Sequence, residues 1–234
     1  LEEVTNNVGK AITEPRHGLR KSDMDHAVIS RSKREARGDV VPQLIAHIVF
    51  ATNNHDEMLD WYMKVLNARI ALQNPGTTFI AFDDEHHRIG IARVPRLANK
   101  NPNANGVNHI AFTYANLGAL LGTYKRLAVE GIYPRWPMNH GITVSLYYQD
   151  PDGNRLELQA ERFGNVADTH NYFEHNADFR ANPFGAPFDP EKMLADYEDG
   201  VPDDDMLRFE PYAEGEGPMT IITSMGLGKE DVEI

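Results

Sequence analysis

Not one of the 234 residues is cysteine. That absence removes disulfides, zinc–thiolate sites, iron–sulfur clusters and thiol nucleophiles together. Long apolar runs are also missing: none approaches the roughly 18–20 residues of a membrane-spanning helix. Leu1-Glu2-Glu3 carries neither the basic nor the apolar region of a secretory signal, so a cytoplasmic location is the expectation. Basic residues are scarce, with 23 Lys+Arg against 35 Asp+Glu and a formal net charge of -12. A general nucleic-acid or membrane-surface role does not suit that balance. The deficit is uneven. From Asp189 to Ile234 there are 14 acidic and three basic residues, so the acidity belongs to the C-terminal tail, expected to be a solvated, loosely structured arm. The hydrophobic share of 41% is enough for a packed core.

What is present is a repeat. Ala46-His47-Ile48-Val49-Phe50 matches Asn108-His109-Ile110-Ala111-Phe112, and the same offset aligns Asn54 with Asn116, Leu59 with Leu121, and Tyr62 with Tyr124. In each copy an apolar strand carries a histidine and a helix follows. Asn53 or Asn54 is placed to cap the first helix, whose apolar stripe is Met58, Leu59, Tyr62, Val65 and Leu66. The second is expected over 117–130, with Leu120, Leu121, Tyr124 and Leu127. Short strands follow, over 69–73, 78–82 and 88–94 in the first copy and 133–136, 143–149 and 155–160 in the second. The fold class is α+β, with two strand-helix-strand-strand-strand (βαβββ) modules over 42–98 and 106–163 forming one domain, 42–163. Residues 1–41 read as a polar extension with a helix around 31–37. Residues 164–234 read as an arm, irregular over 164–190, then a short helix capped by Asp189 with Pro190 at its first position.

Three side chains stand out. His47 and His109 hold equivalent positions, so pairing of the modules brings two imidazoles 62 residues apart toward each other. Glu157 lies between Leu156 and Leu158, which alternation sends to the opposite face. A carboxylate aimed into a core is costly unless a cation meets it. Two histidines and a carboxylate with open adjacent positions are the ligand set of non-haem Fe(II) oxygenases. A lone histidine on an apolar strand is ordinarily a satisfied core residue; the repeat sets these two apart. The hairpin 147–157 is symmetric about Asp152, which puts Tyr147 opposite Glu157 on one face. An aromatic there also has a plain packing role. Of the pair His86-His87, His87 shares parity with Ile89 and Ile91 and is expected to face inward.

These residues resemble the type I extradiol (catechol meta-cleaving) dioxygenases of the vicinal oxygen chelate superfamily. The stretch His140 to Glu157, HGITVSLYYQDPDGNRLE, carries the pattern: a His, an apolar segment ending in Tyr, acidic-Pro-x-Gly, then a Glu. Asp84 to Ala92 is similar to the segment whose second His is the family's acid–base residue. Met138 departs from a small residue at that place. The resemblance implies paired βαβββ modules enclosing a metal-containing cavity. It implies Fe(II), or Mn(II), on His47, His109 and Glu157, acid–base work by His87, substrate deprotonation or oxygen positioning by Tyr147, and His140 near the substrate. It further implies a catechol and O2 as reactants. A homo-oligomer is expected, and the net charge argues against a nucleic-acid or membrane partner. Rival expectations are a glyoxalase-like isomerase on the same scaffold and a metal-free protein that sequesters an aromatic ligand.

Overall fold

In the computed structural model, residues 42–101 and 104–208 are described, with Gly217 and Thr223 as isolated positions. The expected helix around 31–37 and the extension 1–41 lie outside them. The first copy runs β1 (Ile48–Thr52), α1 (His55–Val65), β2 (Arg69–Gln73), β3 (Thr77–Ala81) and β4 (Ile89–Arg93). The second runs β5 (His109–Tyr114), α2 (Leu117–Val129), β6 (Trp136–Asn139), β7 (Thr143–Gln149) and β8 (Arg155–Glu161). Each copy makes one sheet of the same order, β1-β4-β3-β2 and β5-β8-β7-β6, and a ninth strand, β9 (Ala186–Pro187), extends the second. The first and last strands of each copy pair in parallel, Ile48 opposite Ile89 and Ile110 opposite Leu156. This is the α+β pair of βαβββ modules.

The helices form where the periodicity places them. Met58, Tyr62 and Val65 of α1 and Leu120, Leu121, Tyr124 and Leu127 of α2 are buried in one core with Ile89, Ile91, Leu156 and Leu158. Burying each such side chain contributes about 1.5–3 kcal/mol. Asn116 caps α2 through its side chain to the Ala119 amide, whereas Asn54 holds the same place on α1 without that bond and meets Glu57 instead. Both helices end on a left-handed residue, Asn67 at φ 47° and Gly131 at φ 73°. Arg126 of α2 donates to the carbonyls of Lys64 and Val65 at the end of α1, and Tyr62 of α1 donates to Asp150 in the β7–β8 turn at 3.0 Å. Asp150 also accepts from the amides of Asp152 and Asn154, so one buried carboxylate closes the hairpin and ties the modules together.

Three expectations change. The strand expected over 133–136 lies at Trp136–Asn139, paired with β7 from Trp136–Tyr147 to Asn139–Val144. The stretch 164–190 holds two helices, α3 (Val166–His175) and α4 (Ala177–Ala181), each capped by an asparagine, Asn165 and Asn176. The described part of the acidic tail is packed: α5 (Pro190–Glu198), capped by Asp189, lies on α2, and α6 (Asp203–Met206) follows. Tyr124 donates to Glu191 at 2.6 Å, Lys125 pairs with Glu198, and Met193 and Leu207 enter the core. Amphipathic spacing within a short acidic segment outweighed its overall charge. Among the described residues no helix is long and apolar enough to cross a membrane.

Candidate metal centre and active site

The β7–β8 hairpin puts Tyr147 opposite Glu157, and the phenol donates to the carboxylate at 2.8 Å. Glu157 is 5% exposed, between Leu156 and Leu158, which are fully buried on the other face. Its second oxygen lies 3.1 Å from His109 Nε2. The His109 Nδ1–H points to the Asn108 side-chain oxygen at 2.9 Å. That leaves the Nε2 lone pair aimed at a carboxylate oxygen. Two acceptors so placed need a cation between them, a proton or a metal. Two donors at about 2.1 Å from one ion and at right angles are about 3.0 Å apart, so the pair suits neighbouring ligands of a divalent ion. The Asn108 contact is the usual support for a ligating imidazole.

Beyond Tyr147 the chain of contacts continues. His140 Nε2 is 3.0 Å from the Tyr147 oxygen, and His140 Nδ1 donates to the Phe184 carbonyl at 2.7 Å. Burial, then the Glu157 charge and its hydrogen bond, hold the Tyr147 phenol far above the ordinary range, so it keeps its proton. Burial pushes the His140 imidazole below its ordinary value, only partly offset by Phe184 and Glu157. A cavity of about 350 Å³ opens beside this pair, walled by Thr143 and Glu161 from the sheet and Phe173 and Phe179 from the arm. A larger cavity of about 730 Å³ lies by the far end of β1, bounded by Asn53, Lys100 and Asp152, and holds none of the site residues.

The first module carries a second cluster. His47 and His87 are in ring contact at 4.7 Å between centroids, His86 meets His87 at 4.4 Å with the rings tilted, and Phe79 meets His87 at 4.8 Å. Desolvation, then the charges of His86 and His47, hold His87 below the ordinary imidazole value. Its side chain reaches this cluster by another route than parity with Ile89 and Ile91. Those two pack under α1, and β4 begins only at Ile89, so the chain before it turns His87 toward Phe79. The structure thus groups His109, Glu157, Tyr147 and His140, and separately His47 with His87. Among the described residues no three His, Asp or Glu side chains converge on one point.

Sequence reading missed Asn108, Asn182 and Phe184. Asn108 was inside the repeat that flagged His109, but the partner of an imidazole nitrogen is not visible in a motif. The Asn-Pro-Phe-Gly run at 182–185 has the composition of a turn, but composition does not say what such a turn touches.

A family model for the Glyoxalase/Bleomycin resistance protein/Dioxygenase superfamily matches residues 44–158. A relative from Rhodococcus globerulus, biphenyl-2,3-diol 1,2-dioxygenase 2, is 39% identical over 184 residues, covering 76% of this chain and 96% of that one. Biphenyl-2,3-diol 1,2-dioxygenase 3 of the same organism is 38% identical over 169 residues, covering 71% and 88% respectively.

Proposed function

The chain belongs to the Glyoxalase/Bleomycin resistance protein/Dioxygenase superfamily, and we propose that it is an extradiol dioxygenase, opening a catechol-type ring beside its hydroxyls with both atoms of O2. The observation that carries this reading is the buried Glu157 flanked by His109 on one oxygen and Tyr147 on the other. The relatives, named as dioxygenases of an aromatic diol, support it.

Fe(II) is the proposed metal, with His109 and Glu157 as ligands and His47, the equivalent of His109 in the first copy, as the third. When bound, such an ion acts as Lewis acid and template for diol and O2. The protein's own residues do the rest. Glu157, desolvated between leucines, supplies negative charge that holds a divalent cation. Tyr147 keeps its proton and turns its hydroxyl between Glu157 and His140, placing one donor beside the metal position. His87, kept neutral by its surroundings, accepts a proton from the diol and returns it to oxygen. The aromatic wall of Phe173 and Phe179 seats the ring's apolar substituent and excludes water.

The test is anaerobic loading with Fe(II), addition of biphenyl-2,3-diol, then air. The expected result is a yellow ring-opened product with one O2 consumed per diol. Metal binding without oxygen uptake across a catechol panel points to an isomerase on the same scaffold. Failure to bind metal points to a sequestering protein. Loss of iron in His47→Ala and Glu157→Gln checks the ligand set.

A further inference from the structure

The arm following the second module does more than cover it. Asn182 is 0% exposed. Its amide bonds one residue three positions on: Nδ2 donates to the Gly185 carbonyl and Oδ1 accepts the Gly185 amide, both at 2.9 Å. The side chain therefore closes the turn Asn182–Gly185 as a clamp, and the turn presents the Phe184 carbonyl to His140 Nδ1. Gly185 stands at φ 96°, and a Cβ there would fall 2.3 Å from the Asn139 carbonyl oxygen and 2.9 Å from the His140 Cα. The turn is thus seated directly on the backbone that carries His140. From there the chain enters β9, with Ala186 opposite Asn139 and Pro187 opposite Met138.

A carbonyl only accepts. Facing Phe184, the neutral His140 must hold its proton on Nδ1, and Nε2 is left bare, aimed at the Tyr147 oxygen. We propose that Asn182 is a positioning residue for His140: by clamping the turn it keeps the Phe184 carbonyl on Nδ1, and so fixes a bare Nε2 as the second acceptor, to which the Tyr147 hydroxyl turns when it leaves Glu157. Asn182 touches neither a reactant nor a metal position; it acts through Phe184 and His140. The value of this for turnover rests on the reading of His140 and Tyr147 given above, whereas the tautomer itself does not.

The test separates the two. Long-range proton–nitrogen correlation spectra of the full chain, histidine-labelled and without added metal, identify the His140 resonances by their loss in His140→Gln. The wild type is expected to show a protonated Nδ1 and a bare Nε2, and Asn182→Ala to lose that pattern. In the iron-loaded enzyme, Asn182→Ala is expected to lower kcat by about 10- to 100-fold, as a misplaced catalytic group does, with KM little changed. Asn182→Ala/His140→Gln should be no slower than His140→Gln alone. A protonated Nε2 in the wild type, an unchanged tautomer in Asn182→Ala, or additive losses in the double variant would each overturn the assignment. A tautomer that responds to Asn182→Ala while His140→Gln turns over normally upholds the clamp and sinks the role given to His140. Should Asn182→Ala not fold, the near-isosteric Asn182→Asp, which keeps the acceptor for the Gly185 amide and loses the donor, carries the same readouts.

Discussion

The two modules share a backbone and differ in what stands on it. In the second, Glu157 lies between Ala111 on one side and Tyr147 on the other. In the first, the same crossing of strands holds Gly90 between Val49 and Phe79. Since Val49 and Ala111 are equivalent through the repeat, Gly90 is the counterpart of Glu157, and Phe79 that of Tyr147. A carboxylate facing a phenol in one copy becomes a bare backbone under a phenyl ring in the other. The space left there is tight: a Cβ on Gly90 would meet the side chains of Phe79 at 3.0 Å and Val49 at 3.1 Å. Phe79 instead packs on His87. The lesson is that one scaffold, used twice, divides the labour. The second copy holds the buried carboxylate, and the first holds His87, the histidine proposed for proton transfer. Covering differs too. β9 lies along β6, and α5 lies on α2, whereas every residue of β2, the edge of the first sheet, is exposed.

Substitutions at the paired positions test that division most sharply. Glu157→Gln is expected to weaken iron binding by more than the ~10–100-fold that an outer hydrogen-bond partner costs. Gly90→Ala, at the equivalent crossing, should leave iron content intact and lower stability by about 1–3 kcal/mol through overpacking. Iron titration and urea unfolding of both variants check this, and similar iron loss in the two would erase the distinction. Next in size, His87→Ala should retain iron and lose about 10²–10⁴-fold in turnover. Steady-state kinetics with metal analysis decide it, and normal turnover would remove His87 from proton transfer.

Stability should follow the unequal covering. Leu158→Ala, under the helices, is expected to cost about 2–5 kcal/mol. Leu72→Ala on the bare edge, 60% exposed, should change stability by no more than about 0.5 kcal/mol. Equal losses in chemical denaturation would mean that β2 is covered in solution. The smallest effect is one of pH. Burial lowers the His140 pKa in the folded chain, so the unfolded chain binds the proton first as acid is added. The stability this group supplies is complete above the ordinary imidazole range and is lost as pH falls through it. Unfolding free energies measured from about pH 8 to 5 should fall less steeply in His140→Gln than in the wild type.

Much of the candidate site was legible because it is local. The pairing of Tyr147 with Glu157 follows from strand alternation and from a turn symmetric about Asp152, and β7 and β8 keep that register. The repeat likewise marked His47 and His109 as equivalent, and the α1 and α2 stripes as core. The Asp189 cap followed by Pro190 marked the start of α5. The arm was harder. Its aromatic, Asn- and Pro-rich stretch has no long periodic stripe, so α3 and α4 owe their visibility to asparagine caps and to ring contacts such as Tyr172 with Phe179.

The amino-acid order by itself determined the modules, the hairpin register and the carboxylate with its phenol, because contacts within about ten residues obey the strand and helix periods. Only the tertiary structure decided that His140 meets the carbonyl of Phe184, that Asn182 clamps that carbonyl in place, and that His47 lies against His87. Such partners are chosen by packing between distant segments, where complementary shape and the need to satisfy buried polar groups have no period to read.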